Sequence, residues 1–256
     1  MTLHNKTKIN QLLQNWPQGA VATTHWLEEQ GISRQLRLHY LKSKWIETVG
    51  DSAFKRAGDT IDWKGGLYAI QKQLKLSIHV GGLTAIVLQG AGHYLRFEET
   101  VQLFGDGNTK SPLPVWFRNY KWGSEVQFCR TKFLPYWLDC KEIESKNFSI
   151  TVSTLERAIL ECIYISPAKM DLVECYQIME GLTTLRPNIL QELLERCESI
   201  KVKRLFLYMA EKANHAWFKH IKTSNIDLGS GKRSIVKNGF YDAKYKITLP
   251  KELESL

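Results

Sequence analysis

The chain is poor in the residues that build disulfide scaffolds and metal sites. Its five cysteines, Cys129, Cys140, Cys162, Cys175 and Cys197, are an odd number. They contain no CxxC, and no pair has zinc-finger spacing. They read as buried or free thiols in a reducing cytosol. Long apolar runs are missing as well. The most apolar stretch, LTAIVLQGAG, is too short and too polar to span a bilayer. The opening MTLHNKTKINQLLQNW lacks the apolar core of a signal peptide. The expectation is a cytoplasmic protein with no membrane partner.

Motifs for chemistry fail one by one. GSGKRS at 229–234 would need glycine at 226 and Ser or Thr directly after its Gly-Lys; Ile226 and Arg233 stand there instead. HVGG at 79–82 lacks the P-loop Lys-Ser/Thr and the full dinucleotide fingerprint, and reads as close backbone packing. Asp242-Ala243-Lys244 lacks the second carboxylate that would hold paired Mg²⁺. His215 and His220, about 500° apart around a helix, do not share a face. There is no G-x-S-x-G elbow. No cofactor, no metal and no catalytic residue is expected, and the chain reads as a non-enzyme.

Acidic side chains are the scarcer sign. The 256 residues carry 35 Lys and Arg against 26 Asp and Glu, a net charge of +9. Residues 1–95 are net +5, 96–200 net −3 and 201–256 net +7. Two basic blocks flank a near-neutral middle, which suggests two polyanion-facing surfaces, or one such surface and a solvated tail. The hydrophobic fraction of 43% supplies real cores.

The first block has a helix-turn-helix pattern. Ile9, Leu12, Leu13 and Trp16 form one apolar face, stopped by Pro17 and Gly19. Thr23 or Thr24 caps a second helix with Trp26 and Leu27 inward, and Gly31 ends it. Ser33 caps a third helix, with Leu36, Tyr40 and Leu41 on one face and Trp45 closing the end. Gln35, Leu38, His39 and Lys42 fall on the other side, flanked by Arg34 and Arg37. Ile46–Val49 and Ala53–Arg56 then read as two strands joined at Gly50-Asp51. They would form a wing carrying Lys55 and Arg56, whose place is on phosphate while the third helix enters the major groove. A small helical bundle used only for protein contacts has the same pattern.

Residues 63–76 repeat Leu67, Ile70 and Leu74 at helical spacing, and IHVGGLTAIVLQGAG gives a short strand, a Gly81-Gly82 break and an apolar helix. From 100 to 150 the runs TVQLF, PVWFR, VQFCRTKFL and NFSITVS read as strands. Their aromatics suit a sheet core, or stacking on bases. Helices follow at 153–163, with a capping box Ser153…Glu156, at 172–181, from Pro187, and at 201–214. The tail reads as a strand pair turning at Asn238-Gly239. The fold class is α+β: a winged helix-turn-helix over 1–95, then a mixed α/β domain over 96–256.

Four segments together carry a resemblance: GISRQLRLHYLKSKWIETVGDSAFKRAGD at 31–59, IHVGGLTAIVLQGAGHYL at 78–95, LPVWF at 113–117 and STLERAILE at 153–161. In order and spacing the chain resembles the AbiEi antitoxins and transcriptional regulators of type IV toxin–antitoxin systems. The resemblance implies a winged helix-turn-helix that represses its own operon by binding duplex DNA in its promoter. It also implies a C-terminal α/β domain that counters a cognate nucleotidyltransferase-like toxin without a stable complex. It puts Ser33, Arg34, Gln35 and Lys42 in the recognition-helix segment. Such chains often have glycine where this one has Lys44; a lysine there either takes a left-handed turn or lets the helix run on. The second basic block offers Lys201, Lys203, Arg204, Lys212, Lys219, Lys222, Lys232, Arg233 and Lys237 as a basic antitoxin surface. The alternatives are a winged-helix regulator with no toxin partner, an enzyme on nucleic acid, which would need converging carboxylates, and a protein-only adaptor.

Overall fold

A computed structural model describes residues 8–91, 100–109 and 112–256. The expected domain boundary at 95/96 and the last four residues of the 78–95 segment lie outside the described residues. The chain divides into two compact units. One is Met1–Ile78 with Thr109–Val126 and Glu142–Thr151; the other is His79–Asn108 with Gln127–Lys141 and Val152–Leu256. Both are discontinuous, whereas the sequence reading drew a single cut.

The first unit opens with helix α1 (Lys8–Asn15), which stops at Trp16 and Pro17 as expected. Strand β1 (Ala22–Thr23) leads into α2 (Thr24–Glu29), and the Thr23 hydroxyl accepts the Trp26 N–H. Gly31 then turns left-handed at φ +76°, so that Ile32 N–H reaches back to Leu27 O at 2.9 Å. Ser33 caps α3 (Arg34–Lys42) by accepting the Leu36 N–H. Strands β2 (Ile46–Gly50) and β3 (Ala53–Arg56) follow and form a three-stranded sheet of order β1-β3-β2. The core beneath is Leu12, Trp16, Ala20, Ala22, Leu27, Ile32, Tyr40, Ile46 and Phe54.

Residues 63–76 do not form the single α-helix that their spacing suggests. Helix α4 (Trp63–Tyr68) widens into a π turn over Ala69–Gln73. From there the buried Gln73 amide accepts Thr23 N–H at 2.8 Å and donates to Val21 O at 2.9 Å. The amide thus stands in for a neighbouring strand along β1.

Strand β4 (Ile78–Val80), helix α5 (Gly82–Leu88) and strand β5 (Thr100–Asp106) match the sequence reading. PVWFR does not. It is helix α6 (Val115–Asn119), with Pro114 at its N-cap and Trp116 and Phe117 buried in the first unit. Pro114 has no N–H for a strand ladder, and its carbonyl accepts from Phe117 and Arg118. Strands β6 (Glu125–Thr131), β7 (Cys140–Ser145) and β8 (Phe148–Ser153) complete a five-stranded sheet of order β6-β5-β4-β8-β7, with Val80 paired in parallel to Val152. Strand β7 was not apparent from the sequence, because its exposed residues lack an apolar alternation.

The second unit adds α7 (Leu155–Ile165), α8 (Leu172–Gly181), α9 (Pro187–Arg196) and α10 (Ile200–Lys212), each with its apolar stripe inward. The expected Ser153 box is displaced by one residue. Thr154 occupies the N-cap, and both hydroxyls go to carboxylates, Ser153 to Glu161 and Thr154 to Asp139. Strands β9 (Arg233–Ser234), β10 (Phe240–Asp242) and β11 (Ile247–Leu249) make a last sheet of order β10-β11-β9, followed by α11 (Glu252–Ser255). Its hairpin turn is the stretch between Asp242 and Ile247, not Asn238-Gly239. Gly239 lies instead where a Cβ would stand 1.9 Å from Leu249 O.

Glu161 is the centre of this unit and is fully buried. One carboxylate oxygen accepts from His79 Nε2 and Arg157 Nε, each at 2.8 Å. The other accepts from Gly82 N–H at 2.9 Å and Ser153 Oγ at 2.8 Å. Arg157 also donates to Pro135 O and Leu138 O, both at 2.6 Å. The HVGG and STLERAILE segments therefore meet on a single carboxylate. A Cβ on Gly81 would lie 2.2 Å from that carboxylate, and Gly82 sits at φ +53°. The Gly82 N–H is bound to Glu161 and is not open to a phosphate.

Burial alone would raise the Glu161 carboxyl. His79 and Arg157 outweigh it and bring it down to about 2 from an ordinary 4.5. Burial holds the His79 imidazole below its ordinary 6.5, and its Nε2–H donates to the carboxylate beside Arg157. Groups held below their unfolded values stabilise the fold above those values and lose that contribution as the pH falls. Acid unfolding should therefore set in below 6.5 through His79 and steepen between 4.5 and about 2 through Glu161. Glu161→Gln leaves Arg157 buried without a counter-charge. It should cost about 3–5 kcal/mol in urea unfolding at neutral pH and flatten the lower part of the acid profile.

Candidate nucleic-acid interface

The outer face of α3 is polar, basic and available. Arg34, Gln35, Leu38, His39 and Lys42 are all exposed. At 100° per residue they lie within about 140° of one another, a single stripe on the helix. Leu38 is at its middle and is 57% exposed. Ser33 is exposed at the head of the stripe, its oxygen engaged by Leu36 N–H and its own O–H left to donate. Among the described residues no carboxylate pairs with Arg34 or Lys42.

Three other cations expected on this surface serve the fold instead. The Arg37 side chain is only 12% exposed; it lies 3.4 Å from Glu28 and over the Phe54 ring at 5.6 Å, bracing α2, α3 and β3. Lys55 is 19% exposed, 3.0 Å from Glu47, with a hydrogen bond to Asp59 O. Lys55 also holds the Glu47 carboxyl below the usual carboxylate range. Arg56 turns inward and donates to Leu13 O, and burial pushes its guanidinium downward. The reason is common to all three. Each of the three has a carboxylate, carbonyl or ring of the fold within reach of its charge.

Lys44 resolves the open question at the end of α3. It adopts the left-handed conformation at φ +54°, with Lys44 N–H on Leu41 O and Trp45 N–H on Tyr40 O. This is the paired-bond helix ending usually made by glycine. Trp45 does not close the core; it is 48% exposed beside Lys44. A second feature escaped the sequence reading. Gly50 in β2 packs against Trp116 so closely that a Cβ would lie 3.0 Å from the Trp116 Cβ. The contact leaves a shallow groove of about 570 Å³ between the β2–β3 turn and α6, lined by Asp51, Asn119, Tyr120 and the exposed Lys121. Nothing local in the sequence links residue 121 to residue 50.

The C-terminal cations also divide. Lys203 and Arg204 are buried and do not belong to a basic surface. The Arg204 guanidinium donates to four carbonyls, Leu228 and Gly231 at 2.8 Å and Gly229 and Lys246 at 3.0 Å, so it organises the 228–231 loop from inside. Lys201 gives its ammonium to Tyr164 O and Ser166 O, and burial lowers it. Lys212 is half-buried over Tyr176. Lys219, Lys222, Lys232, Arg233 and Lys237 are exposed. The aromatics of residues 104–137 are mostly core, as the sheet reading had it; Tyr136 and Trp137 are the exposed pair.

Among the described residues, no three His, Cys, Asp or Glu side chains converge to hold a metal ion, and no helix is long and apolar enough to cross a membrane. His215 instead hydrogen-bonds Met179 O through Nε2 at 2.6 Å.

Two family models match the chain. One, described as the transcriptional regulator AbiEi antitoxin N-terminal domain, covers residues 5–97. The other, described as a transcriptional regulator, AbiEi antitoxin, type IV toxin–antitoxin system, covers residues 98–250. Among curated proteins none matches. The crystal structure of the RV2827C protein from Mycobacterium tuberculosis is similar in fold, with a TM-score of 0.61 over 93% of this chain and 88% of that one, at 11% identity.

The division of the cations makes a stability prediction. Arg37→Ala should lower the melting temperature, whereas Arg34→Ala should leave it unchanged. Lys44→Gly should raise stability by about 1 kcal/mol, because glycine takes the left-handed turn without a Cβ penalty. Thermal denaturation followed by circular dichroism checks all three.

Proposed function

The chain belongs to the AbiEi family of antitoxin-type transcriptional regulators, and on that premise we propose that it represses its own operon and counters a cognate nucleotidyltransferase-like toxin. The first 95 or so residues act as a winged helix-turn-helix on duplex DNA, and the remainder acts as the antitoxin domain. The observation that carries the DNA reading is the free stripe Arg34, Gln35, Leu38, His39 and Lys42 on a helix capped by Ser33.

In this reading α3 lies in the major groove. Arg34 is suited to the O6 and N7 acceptors of guanine, Gln35 to the N6 and N7 of adenine, and Leu38 to a thymine methyl. Lys42 neutralises a phosphate. Lys55 and Arg56 have no part in it, because their charges are engaged within the fold. The antitoxin surface is reduced to the exposed Lys219, Lys222, Lys232, Arg233 and Lys237. Antagonism of the toxin then proceeds through a shared target or a transient encounter, without a stable complex.

Binding of the full chain to its own promoter, measured against scrambled duplex, tests the first part. Arg34→Ala or Gln35→Ala should lose about 1–3 kcal/mol of discrimination. Lys42→Ala should weaken all sequences alike and flatten the salt slope by about one. Replacing contacted thymines by deoxyuridine should mimic Leu38→Ala and add nothing to it. Variants that all bind like the wild type would remove α3 from the groove. For the second part, co-expression with the neighbouring toxin gene should restore growth, and reversing Lys219 and Lys222 to Glu should reduce that rescue with promoter binding intact. Repression without any rescue would leave a regulator that has no toxin partner.

A further inference from the structure

The C-terminal cations gather around one exposed ring. The register of the last sheet sets Tyr241 opposite Thr248, and Thr248 opposite Ser234. Directly opposed residues share a face, and the neighbours of Thr248, Ile247 and Leu249, are fully buried. The Tyr241, Thr248 and Ser234 row therefore faces outward. Tyr241 is 42% exposed, and the Lys232 ammonium lies 4.9 Å from its ring centroid.

The charge around this row is lopsided. Residues 229–249 contain Lys232, Arg233, Lys237, Lys244 and Lys246 against one acid, Asp242. All five cations are exposed. Asp242 accepts the Tyr245 N–H, and Lys244 pairs with Glu211, which leaves four cations and no local carboxylate committed to them among the described residues. Arg204 fixes the platform from below through its four carbonyls. A planar trans peptide points its N–H away from its C=O. The N–H groups of Ser230 and Lys232 thus face away from the buried guanidinium, on exposed residues.

We propose that this face binds single-stranded nucleic acid, with a base stacked on Tyr241 and the flanking phosphates on Lys232, Arg233 and Lys237. A short sheet with an exposed ring offers every base a π-face, and the cations beside it track a backbone. The ring can stack only on an unpaired base, so duplex is the poorer ligand. Lys232 exchanges its exposed contact with the ring for a phosphate when a base arrives. The proposal rests on the reading of the C-terminal cations as a functional surface rather than a solvated one.

The test is fluorescence anisotropy of the full chain with short labelled single-stranded RNA and DNA of mixed sequence, at several salt concentrations, with the operator duplex as comparator. Single strands should bind with a log–log salt slope of about −0.7 per phosphate engaged. Tyr241→Ala should weaken them about tenfold, and Tyr241→Phe should keep the affinity. Lys232→Glu with Arg233→Glu should abolish binding and leave the operator complex unchanged. Arg34→Ala should do the reverse. Better binding of RNA or of DNA identifies the natural strand. Binding unaffected by the Lys232/Arg233 reversal overturns the site, and a silent Tyr241→Ala overturns the stacking. Loss of strand binding in Arg34→Ala would reassign it to α3 and overturn the proposal. If no strand binds while the same reversal still abolishes rescue in cells, this inference fails, the antitoxin reading stands, and the surface is one for protein.

Discussion

A carboxylate with no access to water must be matched by donors and by positive charge, and Glu161 meets both needs with groups drawn from far apart in the chain. His79 and Gly82 come from the β4–α5 junction, Ser153 from the end of β8, and Arg157 from one turn earlier on α7. Each of these elements is held where it is because moving it would strand a charge or a donor in a low-dielectric interior. Arg157 extends the constraint to the 135–138 segment through two carbonyls. The glycines of HVGG belong to the same constraint: at position 81 a side chain would occupy the space of the carboxylate.

Arg204 repeats the logic with the opposite sign. Its guanidinium is buried and holds four carbonyls, with no carboxylate among its hydrogen-bond partners. Five N–H donors in a fixed fork suit a ring of backbone acceptors in a way that an ammonium does not. The loop after Leu228 thereby gains a defined shape although two of its glycines, Gly229 and Gly231, are in left-handed conformations. The exposed cations that follow it in sequence stand on an anchored base.

The first unit separates its cations by the same physics. Those with a carboxylate, carbonyl or ring in reach, Arg37, Lys55 and Arg56, are committed to holding α1, α2, β2 and β3. Those on the outward stripe of α3 are not. A surface ion pair adds little to stability, but it removes a charge from the set that a polyanion could meet. The face therefore depends less on how many Lys and Arg the unit has than on which of them lack a neighbour.

Periodicity and capping chemistry made much of the local structure legible from sequence. The α1 stripe, the Thr23 and Ser33 caps, the Gly31 turn, the β2–β3 pair and the helices from Leu155 to Lys212 are written in residues within a few positions of one another. The free stripe of α3 was legible for the same reason. What failed to show were features that depend on a distant partner. PVWFR has strand-like residues but folds as a helix that buries Trp116 and Phe117. Residues 69–73 widen into a π turn from which Gln73 bonds β1. Above all, a lysine or arginine reads the same in sequence whether it faces water or a carbonyl many residues away. The sequence determined where the charges are along the chain. Only the tertiary structure decided which of them stay exposed, because pairing and desolvation are set by neighbours in space.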